Sequence, residues 1–134
     1  DWSPAAIRSA MMTTATTIDN NFHPMIDEAT GKPSTPYDYG AGHVNLGLAM
    51  DPGLVYDLTN SDYVNFLCAI EYGPKTIQVI TRSPVNCPAR KPLPENLNYP
   101  SIAAPFSSVF TGVSSKTFFR TVTNVGEANA VYSV

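Results

Sequence analysis

Charge is scarce in this chain. Of its 134 residues only 14% are Asp, Glu, Lys or Arg, against about 25% in ordinary soluble domains, which argues against a charge-rich disordered tail. The eight basic residues are scattered and outnumbered by eleven acidic ones, for a net charge of −3. With no basic stripe to neutralise phosphates, nucleic acid is not an expected partner. Long apolar runs are absent too: none approaches the roughly 18 residues a membrane span requires, so no membrane partner is expected. The opening Asp1-Trp2-Ser3-Pro4 lacks the charged and apolar regions of a signal peptide. Cysteine is limited to Cys68 and Cys87, and no Asn-x-Ser/Thr acceptor occurs. By themselves the two cysteines leave one bridge or two thiols open.

What the chain does have is apolar content, 43%, and proline, 12 residues, roughly 9% against a usual share of about 5%. Six of the twelve lie between Pro84 and Pro105. The chain is expected to pack, and the proline cluster to divide it.

Helical signals come first. Ser3 is placed to cap a helix whose first position is Pro4, with Trp2 before the cap able to pack on Ile7. Ile7, Ala10, Met11 and Thr14 recur at helical spacing and predict one buried face. The threonines at 13, 14, 16 and 17 restrict χ1 and should end the helix near Ala15. Residues 19–36 read as a surface loop. Gly40 and Gly42 mark a place where the backbone turns or is closely approached. A short helix is predicted over 45–50, closed by Asp51-Pro52-Gly53. A second well-punctuated helix starts at Thr59, carries Asp62 in its first turn and Tyr63, Phe66, Leu67 and Ile70 on one face, and ends at Gly73 with Pro74 beyond. Residues 74–81 hold a further helical turn, and 83–94 form a connector that fits neither a helix interior nor a central strand.

Beyond the connector the period changes to alternation. A first strand is predicted near Leu97, Tyr99 and Ile102, another over 117–126, and a third over 130–134, where the module is expected to stop in mid-strand. The change of period makes the proline cluster the domain boundary.

Five blocks, in order, resemble the subtilisin-like serine proteases of plants. Residues 1–15 (DWSPAAIRSAMMTTA) resemble the helix after that family's catalytic serine motif. Tyr39-Gly40-Ala41-Gly42-His43-Val44-Asn45, with residues 51–57 (DPGLVYD), is similar to its closing catalytic-domain signature. Asp62-Tyr63 with Phe66-Leu67-Cys68, residues 97–103 (LNYPSIA) and residues 120–126 (RTVTNVG) resemble its linker and the opening of its fibronectin-III-like domain. Leu46 departs from the proline usual after Val-Asn.

The resemblance implies an α/β subtilisin-like catalytic-domain C-terminal segment over 1–82, a Pro-rich linker over 83–95, and an incomplete all-β fibronectin-III-like sandwich over 96–134. It also implies that the catalytic Asp, His and Ser and the oxyanion asparagine lie outside this chain, which is then inactive alone, because acyl transfer needs serine, histidine, carboxylate and oxyanion donors together. The parent would be a secreted serine endopeptidase acting on protein or peptide substrates, without a cofactor, and its N-terminal part would be this chain's partner. A non-catalytic interaction protein or processing product is the other reading. Secretion favours a Cys68–Cys87 disulfide, and closing that loop stabilises by roughly 3 kcal/mol. Ile7, Met11, Gly40, Gly42 and His43 are the expected structural support.

Tempting residues have plainer roles. His43 invites pairing with Asp38 or Asp51 and a serine, but no Gly-x-Ser-x-Gly elbow occurs, and a turn-anchoring role is expected. His23, with Asp19 and Asp27, has the makings of a metal site, yet a solvated loop is the expectation and no metal is assigned. Tyr63, Phe66, Phe118, Phe119 and Tyr132 are expected in the core rather than on a binding platform. A truncated β module would leave apolar surface open, so the isolated chain is expected to self-associate.

Overall fold

A computed structural model describes residues 1–106 and 112–133. The chain folds into two compact units, one from residues 1–56 and 122–134, the other from 57–121.

The first unit is built on helix α1 (Pro4–Thr13). The Ser3 hydroxyl accepts the Ala6 amide at 3.0 Å and Pro4 occupies the first turn, where no N–H is needed. The Thr13 and Thr14 hydroxyls donate back to the Ser9 and Ala10 carbonyls at 2.9 and 2.7 Å, bonds to carbonyls four residues back that compete with the helical ladder. The helix ends there, close to where the threonine run predicts. Its buried face shares only Ala10 with the expected one. Ala5, Ala6, Ser9 and Ala10 are buried, whereas Ile7 is 47% exposed and Met11 and Thr14 are half-buried. The reason is size: strand β3 (Leu54–Val55) lies against α1, and side chains no larger than alanine or serine let a strand approach so closely. Ala6, Ala10 and Val55 form the core there, and the Tyr56 amide donates to the buried Ser9 hydroxyl at 2.9 Å.

The loop after α1 is more ordered than its composition predicts. Strands β1 (Ile26–Asp27) and β2 (Lys32–Pro33) pair antiparallel, and Asp27 closes the turn by accepting from the Ala29 amide and the Thr30 hydroxyl. Helix α2 (Pro36–Tyr39) follows, its start held by Asp38, whose carboxylate accepts from the Thr35 amide and hydroxyl. Helix α3 (Leu46–Ala49) is capped by the Asn45 side chain, which accepts the Leu48 amide at 3.1 Å. Leu46 therefore supplies an ordinary first helical residue.

In the second unit, helix α4 (Asn60–Ala69) starts at Thr59, whose amide and hydroxyl both donate to Asp62 at 2.7 Å. It ends before the predicted Gly73. Glu71 takes the left-handed conformation instead (φ 67°), its amide donating to the Cys68 carbonyl, while Gly73 has an ordinary φ of −67° and opens helix α5 (Pro74–Thr81). Cys68 of α4 and Ile77 of α5 are fully buried where the two helices pack.

The strands predicted after the proline cluster are mostly absent. Among the described residues that region contributes one 3-10 turn (Pro94–Asn96) and one strand, β4 (Thr123–Asn124), which pairs antiparallel with β3 through Leu54↔Asn124 and Val55↔Thr123. Residues 97–102 and 130–133 are not in strands; Val134, the end of the third predicted strand, lies outside the described residues. A strand requires a partner for its amides and carbonyls, and around residues 95–101 side chains take that place.

Gly42 is where the close approach falls. Its φ is +116°, and a Cβ there would lie 2.4 Å from the Thr16 carbonyl oxygen, whereas Gly40 (φ +62°) faces open space. Gly42→Ala is expected to lower stability by about 3 kcal/mol and Gly40→Ala by about 1 kcal/mol; equal midpoints in urea denaturation would show that Thr16 does not press on Gly42.

Candidate functional site: an apolar groove and a side-chain clasp

Turning α1 so that its small residues face β3 leaves Ile7 and Met11, one residue out of phase, on the adjoining face. There they line an open groove of about 510 Å³ with Trp2, Ala10, Leu46 and Met50. Trp2 (42% exposed), Ile7 and Met50 (86%) are large apolar side chains left partly in water, an arrangement typical of a surface that is covered by something else. The groove offers shape and apolar area, with no titratable group on its wall.

His43 is exposed and acts through its backbone: its amide donates to the Thr16 carbonyl at 2.8 Å, and its carbonyl accepts the Thr16 amide at 2.9 Å. The expected turn anchor is thus a main-chain bridge that requires Gly42 beside it, and Asp38 is engaged at the start of α2. Asp19 and Asp27 likewise serve their own loops. Asp19 accepts from the Asn21 and His23 amides at 2.7 and 2.9 Å, with the His23 ring 3.9 Å from its other oxygen. Among the described residues no three His, Cys, Asp or Glu side chains gather as a metal site.

Cys68 and Cys87 are joined by a disulfide, their Cα atoms 5.6 Å apart, which ties the connector to α4. The aromatic residues divide. Tyr63, Phe66 and Phe118 are half-buried, but Phe119 is 70% and Tyr132 49% exposed, so those two are not core. Tyr132 covers Gly53 instead, and its hydroxyl donates to Asn124 at 3.4 Å.

The second unit holds a constellation that strand periodicity misses. The Asn98 side chain pairs with the Thr121 backbone as a peptide group would: Nδ2 donates to the Thr121 carbonyl and Oδ1 accepts its amide, both at 2.8 Å. Nδ2 also donates to the Asp57 carbonyl at 3.0 Å. Two residues earlier, Asn96 accepts the Phe119 amide at 3.1 Å. Between them Arg120 donates to the carbonyls of Glu95 (2.9 Å), Tyr99 (3.1 Å) and Ser101 (3.0 Å), and its guanidinium lies 5.8 Å from the Phe118 ring centre. Lys116 pairs with Glu95 at 3.1 Å; the Glu95 backbone amide and then this ammonium keep its carboxyl below the usual range. The legible signal was spacing: Asn96 and Asn98 face Phe119 and Thr121, each pair two residues apart.

Comparison with known proteins bears on both features. The chain is 68% identical over 133 residues to a subtilisin-like protease, SBT1.6, of Arabidopsis thaliana, an alignment covering 98% of this chain and 17% of that protein. The chain belongs to the plant subtilisin-like proteases. A second relative, subtilisin-like protease SBT1.5 of the same plant, is 51% identical over all of this chain and 18% of its own length. A third, named a CO(2)-response secreted protease, also of Arabidopsis thaliana, is 50% identical over 99% of the chain and 18% of its own length. This subtilase chain therefore spans about a sixth of the relatives it matches. A fibronectin type-III domain model matches residues 96–134, so the clasp around Asn98 and Arg120 lies at the opening of that stretch.

Two outcomes test these sites. Asn98→Asp keeps an acceptor for the Thr121 amide but loses both donors; it is expected to cost about 1–2 kcal/mol and to speed hydrogen exchange at Thr121, and an unchanged exchange rate would dissolve the clasp. For Asp19, the His23 amide is the largest cause of a pKa held below the ordinary value. A carboxyl depressed on folding stabilises above its unfolded value, about 3.9, and that contribution is lost as pH falls through the lower folded value. NMR amide protection at Asn21 and His23 is expected to hold at pH 5 and fade at the acid end; protection equal in Asp19→Asn at pH 5 would contradict this.

Proposed function

We propose that this chain is a supporting part of a subtilisin-like serine endopeptidase, with residues 1–82 belonging to the peptidase domain, 83–95 to its linker and 96–134 to the fibronectin-III-like domain. The nucleophile, base and carboxylate are supplied from outside these residues. The observation that carries the reading is the apolar groove of α1 in a chain that aligns along its whole length with proteases roughly six times longer. Ile7 and Met11 then pack against the rest of the peptidase domain, so that α1 holds the element that presents the nucleophile. Rigid packing of this kind keeps catalytic geometry within the tolerance that chemistry demands. A secreted location is supported by the Cys68–Cys87 bridge, which persists in oxidising surroundings, and by the name of one relative as a secreted protease. The substrate is protein or peptide, hydrolysed without a cofactor.

In the full-length protease carrying this sequence, Ile7→Asp or Met11→Asp is expected to lower folded yield severalfold, since a carboxylate in an apolar contact is strongly disfavoured, while the enzyme that does fold keeps its cleavage preference. A fluorophosphonate probe is expected to label that protease and not the 134-residue chain. Normal yield with altered preference would overturn the buttress role, and labelling of the isolated chain would overturn the placement of the nucleophile elsewhere.

A further inference from the structure

The connector between α5 and the 3-10 turn carries the sequence's sole pair of adjacent basic residues, Arg90-Lys91. Both are exposed, and residues 82–93 hold no helix or strand. Among the described residues, the backbone of 84–92 makes no hydrogen bond to other parts of the chain. A protease binds its substrate as an added extended strand, through free backbone amides and carbonyls, and exposed irregular segments are where nicking concentrates.

The other basic residues are less available. Arg8 and Lys75 lie within α1 and α5. Lys116 is paired with Glu95, and Arg120 is held by carbonyls. Lys32 and Lys91 are each followed by proline, whose ring nitrogen, without N–H and with fixed φ, makes a poor scissile partner. Arg82 is the one rival, an exposed helix cap. It lies inside the loop that the 68–87 disulfide closes, so a cut there leaves the halves covalently joined. Arg90 lies outside that loop.

We propose that the Arg90–Lys91 bond is a processing site for an extracellular endoprotease whose acidic pocket takes arginine, the extracellular setting resting on the secreted reading above. Water adds across the bond: the C–N bond breaks, hydroxyl stays on the Arg90 carbonyl carbon as the new carboxyl group, and hydrogen passes to the nitrogen that becomes the Lys91 α-amine. The products are residues 1–90, with their disulfide intact, and 91–134, which contains the whole fibronectin type-III match from residue 96. The cut thus frees that stretch from covalent attachment without reduction.

The whole chain with its disulfide intact is digested briefly with trypsin, then separately with extracellular fluid of cultured plant cells, and products are weighed under denaturing, non-reducing conditions. Trypsin is expected to yield 1–90 and 91–134 first. Arg90→Gln should slow that cut by about tenfold or more, because the acidic pocket of trypsin requires a basic side chain before the bond it cuts, and Arg82→Gln should leave it unchanged. First cleavage at any other residue, or equal rates for wild type and Arg90→Gln, overturns the site whatever the parent's activity. A fluid that leaves the bond intact while trypsin cuts it overturns the extracellular protease. The same two products from the fluid, blocked by Arg90→Gln, support the proposal in full.

Discussion

The smallness of one face of α1 is the constraint on which the first unit depends. Ala6, Ser9 and Ala10 let β3 lie against the helix, Val55 closes the core, and the Ser9 hydroxyl satisfies the Tyr56 amide that burial would otherwise leave unpaired. Because β3 is then fixed, its edge is available to β4, and residues from the far end of the chain join the first unit through Leu54 and Val55. Larger residues at these positions would separate strand from helix and remove the template for that pairing. The same rotation of α1 displays Ile7 and Met11. Burial of the small face and exposure of the large one are therefore a single geometric fact, and the apolar groove follows from it.

The second unit solves a different problem. Proline at 92, 94, 100 and 105 removes donors that a β-ladder needs, yet the segment must still be held. Side chains do this: the Asn98 amide stands in for a peptide group against Thr121, and the Arg120 fork gathers carbonyls from Glu95, Tyr99 and Ser101. Hydrogen bonds from a charged, planar donor are stronger than neutral ones, so one arginine replaces several ladder bonds. The disulfide ties down the stretch before the clasp, leaving residues 88–93 as the free strap between two anchored points.

These features agree with membership in the plant subtilisin-like proteases. Within this chain the groove is an open apolar face, the Cys68–Cys87 bridge tethers the connector to α4, and the clasp lies at the opening of the fibronectin type-III stretch. Their polar groups are engaged in holding backbone. Asp38 and Asp62 start helices, Asp19 and Asp27 close loops, and His43 pairs through its main chain.

Local signals were legible in the residues themselves, because they act over one turn of chain. The Ser3 cap, the Thr59–Asp62 start, the short helix after Asn45 and the ordered blocks of family resemblance all depend on near neighbours or on order along the chain. What near neighbours do not decide was misread. Ile7 and Ala6 are both apolar and adjacent, and only the arrival of β3 selects the smaller as core. Alternation around 97–102 marks a segment suited to pairing, but the partner was the Asn98 and Arg120 side chains acting across more than twenty residues. Sequence by itself determined where helices begin and which family the chain belongs to. Tertiary structure alone decided which face is buried and what satisfies the backbone, since both depend on groups brought together from distant parts of the chain.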